Sequence, residues 1–317
     1  MISGGTQGME NIMNRCLSLF LTLSFISLFI PASALSAQMT IDGEDQYEFA
    51  RQTMERGEYL RAVAEFERFI HFFPEDDKVP QARYLIGFCY FRAKEYESAR
   101  KALEKVYKSY SSEPMGGKAL FLMGESYYRQ GLVKEAQQYF KKVIETYPHL
   151  DLKHAAQYRL AWSRMKEDKW QEASETFMMV GKSSPLYPNS QELAELSLKG
   201  EALPYKEPAT AGVLAILPGL GHLYCERPKD ALVAFLLNGL TIWAAIEAFD
   251  EDLEVLGSIL LLVEAGWYTG NIYSAVNSAH KYNRKVRNDF RGNLPDKLNL
   301  NLFTTRGGLG LALKMEF

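Results

Sequence analysis

The chain repeats itself with a step of 37 residues, four times over. Ala62, Ala99, Ala136 and Ala173 mark one register of that step, and Phe66, Leu103, Phe140 and Phe177 mark a second. Two more run through Ala50, Gly87, Gly124 and Ala161, and through Tyr47, Tyr84, Phe121 and Tyr158. Pro74, Pro148 and Pro185 share the comb, with Ser111 in the one vacant proline slot. A period of this length belongs to stacked arrays, in which no unit can bury its apolar face alone. Each unit reads as two helices. The small residue in the first helix lets the second approach, the alanine of the second supplies the reciprocal notch, and the Phe or Leu four residues on fills the gap. Tyr139-Phe140-Val143-Ile144 carries the three-and-four apolar spacing of an amphipathic helix. The proline then ends the second helix, because it lacks an amide donor and restricts the residue before it. Gly57 and Gly131 fall in the turns between helices.

Gly124, Tyr127, Gly131, Ala136, Phe140 and Pro148 of the third copy follow the tetratricopeptide repeat pattern most fully, and residues 43–188 resemble that family. A step of 37 instead of about 34 is similar to the repeats of periplasmic proteins that serve β-barrel assembly and the Tol-Pal system. The resemblance implies an all-α solenoid over residues 43–203, four helical hairpins closed by a helix at Ser190–Leu203. In that family the first helices line a concave groove. Carried over by register, the lining takes in Tyr47, Tyr84, Phe88, Phe91, Arg92, Phe121, Tyr128, Arg129, Tyr158 and Trp162. Aromatics and arginine dominate interface energetics, so the implied partner is an extended peptide or a partner helix. The competing reading is that the shared-register aromatics Tyr47, Tyr84, Phe121 and Tyr158 only pack between repeats.

Residues 1–37 read as a secretory signal peptide: a short basic start, an apolar stretch from Leu17 to Ile30, and small residues around Ala32, Ala34 and Ala37. Met13 makes a better start than Met1, because Glu10 would spoil a positively charged leader. Fourteen apolar residues are short for a membrane span, which leaves an uncleaved anchor as the weaker alternative. Cys16 lacks the preceding small-residue pattern of a lipidation site.

Residues 204–208 form a linker, and the composition then turns apolar across 209–285. Ala209–Tyr224, Ala231–Phe249 and Val255–Ala279 are three apolar stretches, the first of marginal length for a span. Arg227 and Lys229 precede the second stretch, Lys281, Arg284, Lys285 and Arg287 follow the third, and the turn between them is acidic. The positive-inside tendency puts both basic flanks in the cytoplasm. With the repeats exported, the first stretch must cross as well, giving three spans; a re-entrant Pro-Gly hairpin with two spans is the alternative. Pro218-Gly219-Leu220-Gly221-His222-Leu223-Tyr224 resembles a Pro-Gly-x-Gly-x-x-Tyr motif of small bacterial two-transmembrane-helix proteins. Cys225 and Glu226 stand where that family commonly has glycine. The motif residues are Pro218, Gly219, Gly221 and Tyr224, with Asn238 and Glu264 in the apolar stretches. Folding the hairpin about Glu251 sets Asn238 opposite Glu264, which predicts a hydrogen bond between them, against the alternative of a carboxyl snorkelling toward headgroups. Residues 286–317 are a basic tail whose Leu298–Phe303 and Leu309–Phe317 alternate about Arg306-Gly307-Gly308, the pattern of a β-hairpin.

Lys plus Arg is 36 against 39 for Asp plus Glu, a near-balance that removes the basic field a nucleic-acid partner needs. Three cysteines build neither a disulfide scaffold nor a four-ligand zinc site, and the five histidines show no metal-ligand spacing. No phosphate loop or nucleophile elbow occurs, so neither a cofactor, a small-molecule substrate nor catalytic residues are expected. The sequence reads as a cell-envelope scaffold that holds a protein or peptide in its groove and is tethered by a lipid-embedded C-terminal domain. The runner-up is a membrane component that assists protein insertion, transport or outer-membrane protein assembly.

Overall fold

The computed structural model describes residues 42–296, 298–305 and 308–314. The leader expected over 1–37, its start at Met13, Cys16 and the closing Phe317 lie outside the described residues. Eight helices pair as four antiparallel hairpins: α1 (Gly43–Glu55) with α2 (Tyr59–Phe72), α3 (Val79–Arg92) with α4 (Tyr96–Ser109), α5 (Pro114–Arg129) with α6 (Val133–Thr146), and α7 (Leu152–Lys166) with α8 (Trp170–Met178). A ninth, α9 (Tyr187–Lys199), covers the last pair, and each hairpin packs on the next.

The registers read from the sequence are the contacts of this stack. A Cβ added at Gly87 would sit 2.6 Å from the Leu103 side chain, and one at Gly124 would sit 2.8 Å from the Phe140 ring. In the first and fourth copies the Phe of that register meets the tyrosine of the aromatic register: Tyr47 on Phe66 at 5.8 Å and Tyr158 on Phe177 at 5.5 Å between centroids. Edge-on aromatic pairs of this kind add to the burial of the rings themselves. The turns repeat as well. Gly57, Lys94, Gly131 and Asp168 stand 37 residues apart and all take left-handed backbone, with φ of 82°, 65°, 79° and 61°. Glycine does this without strain, and Asp tolerates it better than most side chains.

The fourth copy departs from the comb. Helix α8 stops at Met178, well before Pro185, and α9 begins at Tyr187, ahead of the expected Ser190. Gly181, Ser183 and Ser184 are poor helix formers. The Gly181 amide instead donates to His154 Nδ1 at 3.2 Å, and the early start of α9 uses Pro188 in its first turn.

Beyond a short 3₁₀ turn at Gly200–Ala202 come α10 (Pro208–Leu214), α11 (Leu220–Tyr224), α12 (Pro228–Asp250) and α13 (Glu254–Gly292). The stretch Ala209–Tyr224, expected as a span of its own, is instead folded back on itself as α10, a tight turn and α11, both packed against α13. Gly219 makes the reversal: its φ is 93°, and a Cβ there would lie 2.4 Å from the Ala231 carbonyl oxygen. Helices α12 and α13 are long and apolar enough to cross a membrane. Of their most apolar windows only 22% and 17% is buried, so neither is a core helix of the ordinary kind. At 39 residues α13 extends roughly 58 Å, about twice a bilayer's hydrocarbon thickness, and its second half projects past the apolar part toward the solenoid. Strands β1 (Asn299–Thr305) and β2 (Gly308–Lys314) then form an antiparallel hairpin, with Thr305 opposite Gly308.

Candidate peptide-binding groove

The first helices α3, α5 and α7 lie side by side, and their groove residues fall into two groups. Tyr84, Phe121 and Tyr158 are buried with Tyr47 in the contacts between paired helices, and the Tyr158 hydroxyl donates to Asn189 Oδ1 of α9 at 2.8 Å. These four serve packing. Phe88, Phe91, Tyr128 and Trp162 are also buried, whereas Arg92 and Arg129 are exposed. The Arg92 guanidinium lies over the rings of Tyr59 and Phe88, at 5.3 and 5.7 Å from their centroids. Of the expected lining, Arg92 and Arg129 reach the surface, and Phe88 lies beneath Arg92.

Around Tyr128 stands a charge cluster that the register-based lining does not contain. Arg159 of α7 is fully buried, and its Nε lies 2.6 Å from Oε1 of the equally buried Glu125 on α5, outside hydrogen-bonding geometry. Its other two nitrogens face the C-terminal tail. Nη1 donates to both carboxylate oxygens of Asp296, at 3.0 and 2.7 Å, and Nη2 donates to the Leu298 carbonyl at 2.7 Å. The Tyr128 ring supports the guanidinium at 5.4 Å and carries the Lys166 ammonium at 3.6 Å. Leu294 and Leu298 flank Asp296 and are buried in the solenoid's own core. Burial works against the Arg159 charge, and the Glu125 and Asp296 carboxylates more than offset it, which keeps the guanidinium protonated. Burial also pushes the Glu125 carboxyl up, against the pull of Arg159 and Arg129.

A signal for this cluster was available in the sequence. The register mates of Arg159 are Leu122, Leu85 and Glu48, and those of Glu125 are Trp162, Phe88 and Arg51. A charge in a slot filled by leucine in two other copies is not there for repeat packing.

Next to the cluster the solenoid meets α13. Asp168 accepts from Arg287 Nη1 at 2.7 Å and from Arg291 Nη1 at 3.1 Å, and Trp170 meets Phe290 edge-on at 5.7 Å. Arg291 Nη1 also donates to the Met165 carbonyl, capping the end of α7 at 2.8 Å.

The motif residues of the C-terminal bundle are packing devices. A Cβ at Gly221 would strike the Ala211 carbonyl at 2.3 Å, so α11 can cross α10 and α13 only there. The Tyr224 hydroxyl accepts from the Glu207 amide at 2.9 Å, and Asn283 clasps Lys206 through both its amide and its carbonyl at 2.8 Å. Pro218 precedes the Gly219 reversal. The bond expected between Asn238 and Glu264 does not form. The turn centres on Asp252, not Glu251, which brings Asn238 beside Gly266 and Trp267; its Nδ2 donates to the Ala234 carbonyl at 2.7 Å. Glu264 is buried with neither oxygen hydrogen-bonded. A cleft of about 360 Å³ opens beside Asn238, lined by His222, Asp230, Asn271 and Ser274 as well, and His222 Nε2 lies 3.0 Å from Ser274 Oγ.

The tetratricopeptide repeat family matches residues 78–149 and again 155–190. Among solved structures, the chain is similar to MamA (residues 41 to the end) from Desulfovibrio magneticus RS-1, with 21% identity and a TM-score of 0.37 over 56% of this chain and 95% of that one. A tetratricopeptide repeat protein from Parabacteroides merdae ATCC 43184 has 13% identity and a TM-score of 0.41 over 79% and 97%. YrrB, described as a TPR protein with an unusual peptide-binding site, has 17% identity and a TM-score of 0.36 over 71% and 92%. No curated protein matches the chain. The hairpins within residues 78–149 and 155–190 are thus tetratricopeptide repeats by family match.

Removing one partner of a buried ion pair strands the other, at a cost of about 3–5 kcal/mol, while an apolar pair in its place is close to neutral. Arg159→Leu should therefore destabilise the chain by about that amount in urea unfolding, and adding Glu125→Leu should recover at least ~2 kcal/mol of it. Purely additive losses would show that the two charges do not depend on each other.

Proposed function

We propose that the protein is a non-enzymatic scaffold whose repeats hold a protein or peptide partner and whose apolar helical hairpin tethers them to a membrane. The observation that carries partner binding is the Arg159 cluster. One guanidinium reads a carboxylate with two hydrogen bonds and a main-chain carbonyl with a third, which is what recognition of an extended chain requires. Arg92 over its two rings offers a second, exposed anchor in the groove.

Outward-facing Leu232, Phe235, Leu240, Trp243, Ile246 and Leu262 support the membrane tether, since a water-soluble domain rarely exposes so large an apolar surface. Lys281, Arg284 and Lys285 follow the apolar part of α13, where anionic headgroups would meet them. Tethering raises the local concentration of whatever the groove holds. The Asp168 contacts support two spans with the solenoid and both basic flanks on one face. The leader-like residues 1–37 support the exported face of a bacterial inner membrane for that side. A second reading, a membrane component assisting insertion or transport of other proteins, is favoured by the polar cleft beside Asn238 and by the basic flanks, which the positive-inside tendency would hold in the cytoplasm.

Two experiments bear on this. A photo-cross-linking amino acid placed at Arg92 should yield a discrete protein adduct in the native cell, while one at Lys105, on a second helix, should not; equal labelling at both positions would argue against groove binding. Alkaline phosphatase fused after Tyr187 and after Phe317 should report the exported side, and fused after Glu251 the cytoplasmic side. Opposite sides for Tyr187 and Phe317 would restore three spans, and inactive fusions at both would favour the second reading.

A further inference from the structure

We propose that the Arg159 pocket is the solenoid's recognition site for an acidic–aliphatic segment, and that the chain's own Leu294, Asp296 and Leu298 fill it in cis. This rests on the scaffold reading and specifies its ligand. The occupant meets the pocket as a ligand would: Asp296 gives its carboxylate to Nη1, Leu298 gives its carbonyl to Nη2, and two leucine side chains four residues apart enter the apolar core on either side. Leu294, Pro295, Asp296 and Leu298 belong to no helix or strand, so their contacts with the solenoid are made by irregular chain, in which the Leu298 amide donates to Asp296 Oδ1 at 3.2 Å.

Repeat packing does not require a buried arginine here: the equivalent position is leucine in two other copies, and Glu48 of the first keeps its side chain 41% exposed. A buried guanidinium is suited to holding several acceptors in one plane, here the Asp296 carboxylate at Nη1 and the Leu298 carbonyl at Nη2. Glu125 holds it in place from behind, leaving the fork free to face outward. The Asp296 side chain is itself 37% exposed, so the occupant sits at the mouth of the pocket, where a competing segment can reach it. The partner that fits is a protein segment with an Asp or Glu flanked two residues away on each side by aliphatic side chains. Such a partner must displace the tail, and the tail follows directly on Arg291, which holds α13 to Asp168.

A tethered competitor acts at an effective concentration on the order of millimolar, so opening the pocket should strengthen binding of a weak free ligand by about tenfold or more. The test uses the full-length protein in detergent micelles and a fluorescent nonapeptide of residues 292–300, Gly-Asn-Leu-Pro-Asp-Lys-Leu-Asn-Leu, read by anisotropy. Asp296→Ala, and separately Asp296→Ala with Leu298→Ser, should each bind the peptide at least about tenfold more tightly than the unaltered chain. Replacing the peptide's Asp by Asn should weaken its binding to the opened protein about tenfold or more, as loss of a charge-assisted contact does. Opened variants that bind no better than the unaltered chain, or that fail to distinguish the two peptides, would overturn cis occupancy. If that happens while the adduct at Arg92 persists, the scaffold stands with a different ligand; loss of both removes the scaffold as well.

Discussion

A guanidinium taken wholly out of water has to be answered by charge from its surroundings, and the way Arg159 is answered organises the C-terminal half of this protein. One answer, Glu125, comes from the neighbouring repeat; the other, Asp296, comes from 137 residues further along the chain. Asp296 accepts both bonds from Nη1, the Leu298 carbonyl accepts from Nη2, and Glu125 stands beside Nε as a countercharge. Desolvating these groups is expensive, and their mutual attraction offsets the cost only while every partner is present. The tail is therefore part of the solenoid's electrostatics as well as an appendage to it.

Asp168 illustrates how a repeat can be adapted without changing its fold. The first and third copies use glycine at this left-handed turn position, the second uses lysine, and the fourth uses an aspartate that keeps the same backbone shape. The backbone requirement is met by a residue that also presents a carboxylate to Arg287 and Arg291. With Trp170 against Phe290 beside it, the fourth hairpin becomes a socket for the projecting end of α13. The same helix, α13, runs on from the apolar hairpin to this socket.

The solenoid was legible in the sequence because its registers are packing registers: Gly87 against Leu103 and Gly124 against Phe140 are contacts that a fixed step must reproduce in every copy. The same logic misled the reading of the groove. Tyr84, Phe121 and Tyr158 recur because they pack, and a residue that recurs in all copies is a poor guide to a ligand that touches one of them. Arg159 stands where the second and third copies have leucine, and Glu125 where the second and fourth have aromatics, so these two carried the information, but only a copy-by-copy comparison exposes them. The C-terminal bundle was harder for a different reason. Apolar length alone does not distinguish a span from a reversal, and Gly219 decides it through a left-handed turn pressed on the Ala231 carbonyl. The Asn238–Glu264 pairing failed by a single residue in the position of the turn, enough to move the expected partner half a turn along α13.

The dependence of the tail on Arg159 is tested most directly by hydrogen–deuterium exchange of the full-length protein, followed by mass spectrometry over residues 293–298. The account predicts that this segment is protected alongside α7, and that Arg159→Lys releases it while α1 to α4 keep their protection. Immediate exchange of the segment in the unaltered protein, or protection untouched by the substitution, would contradict it.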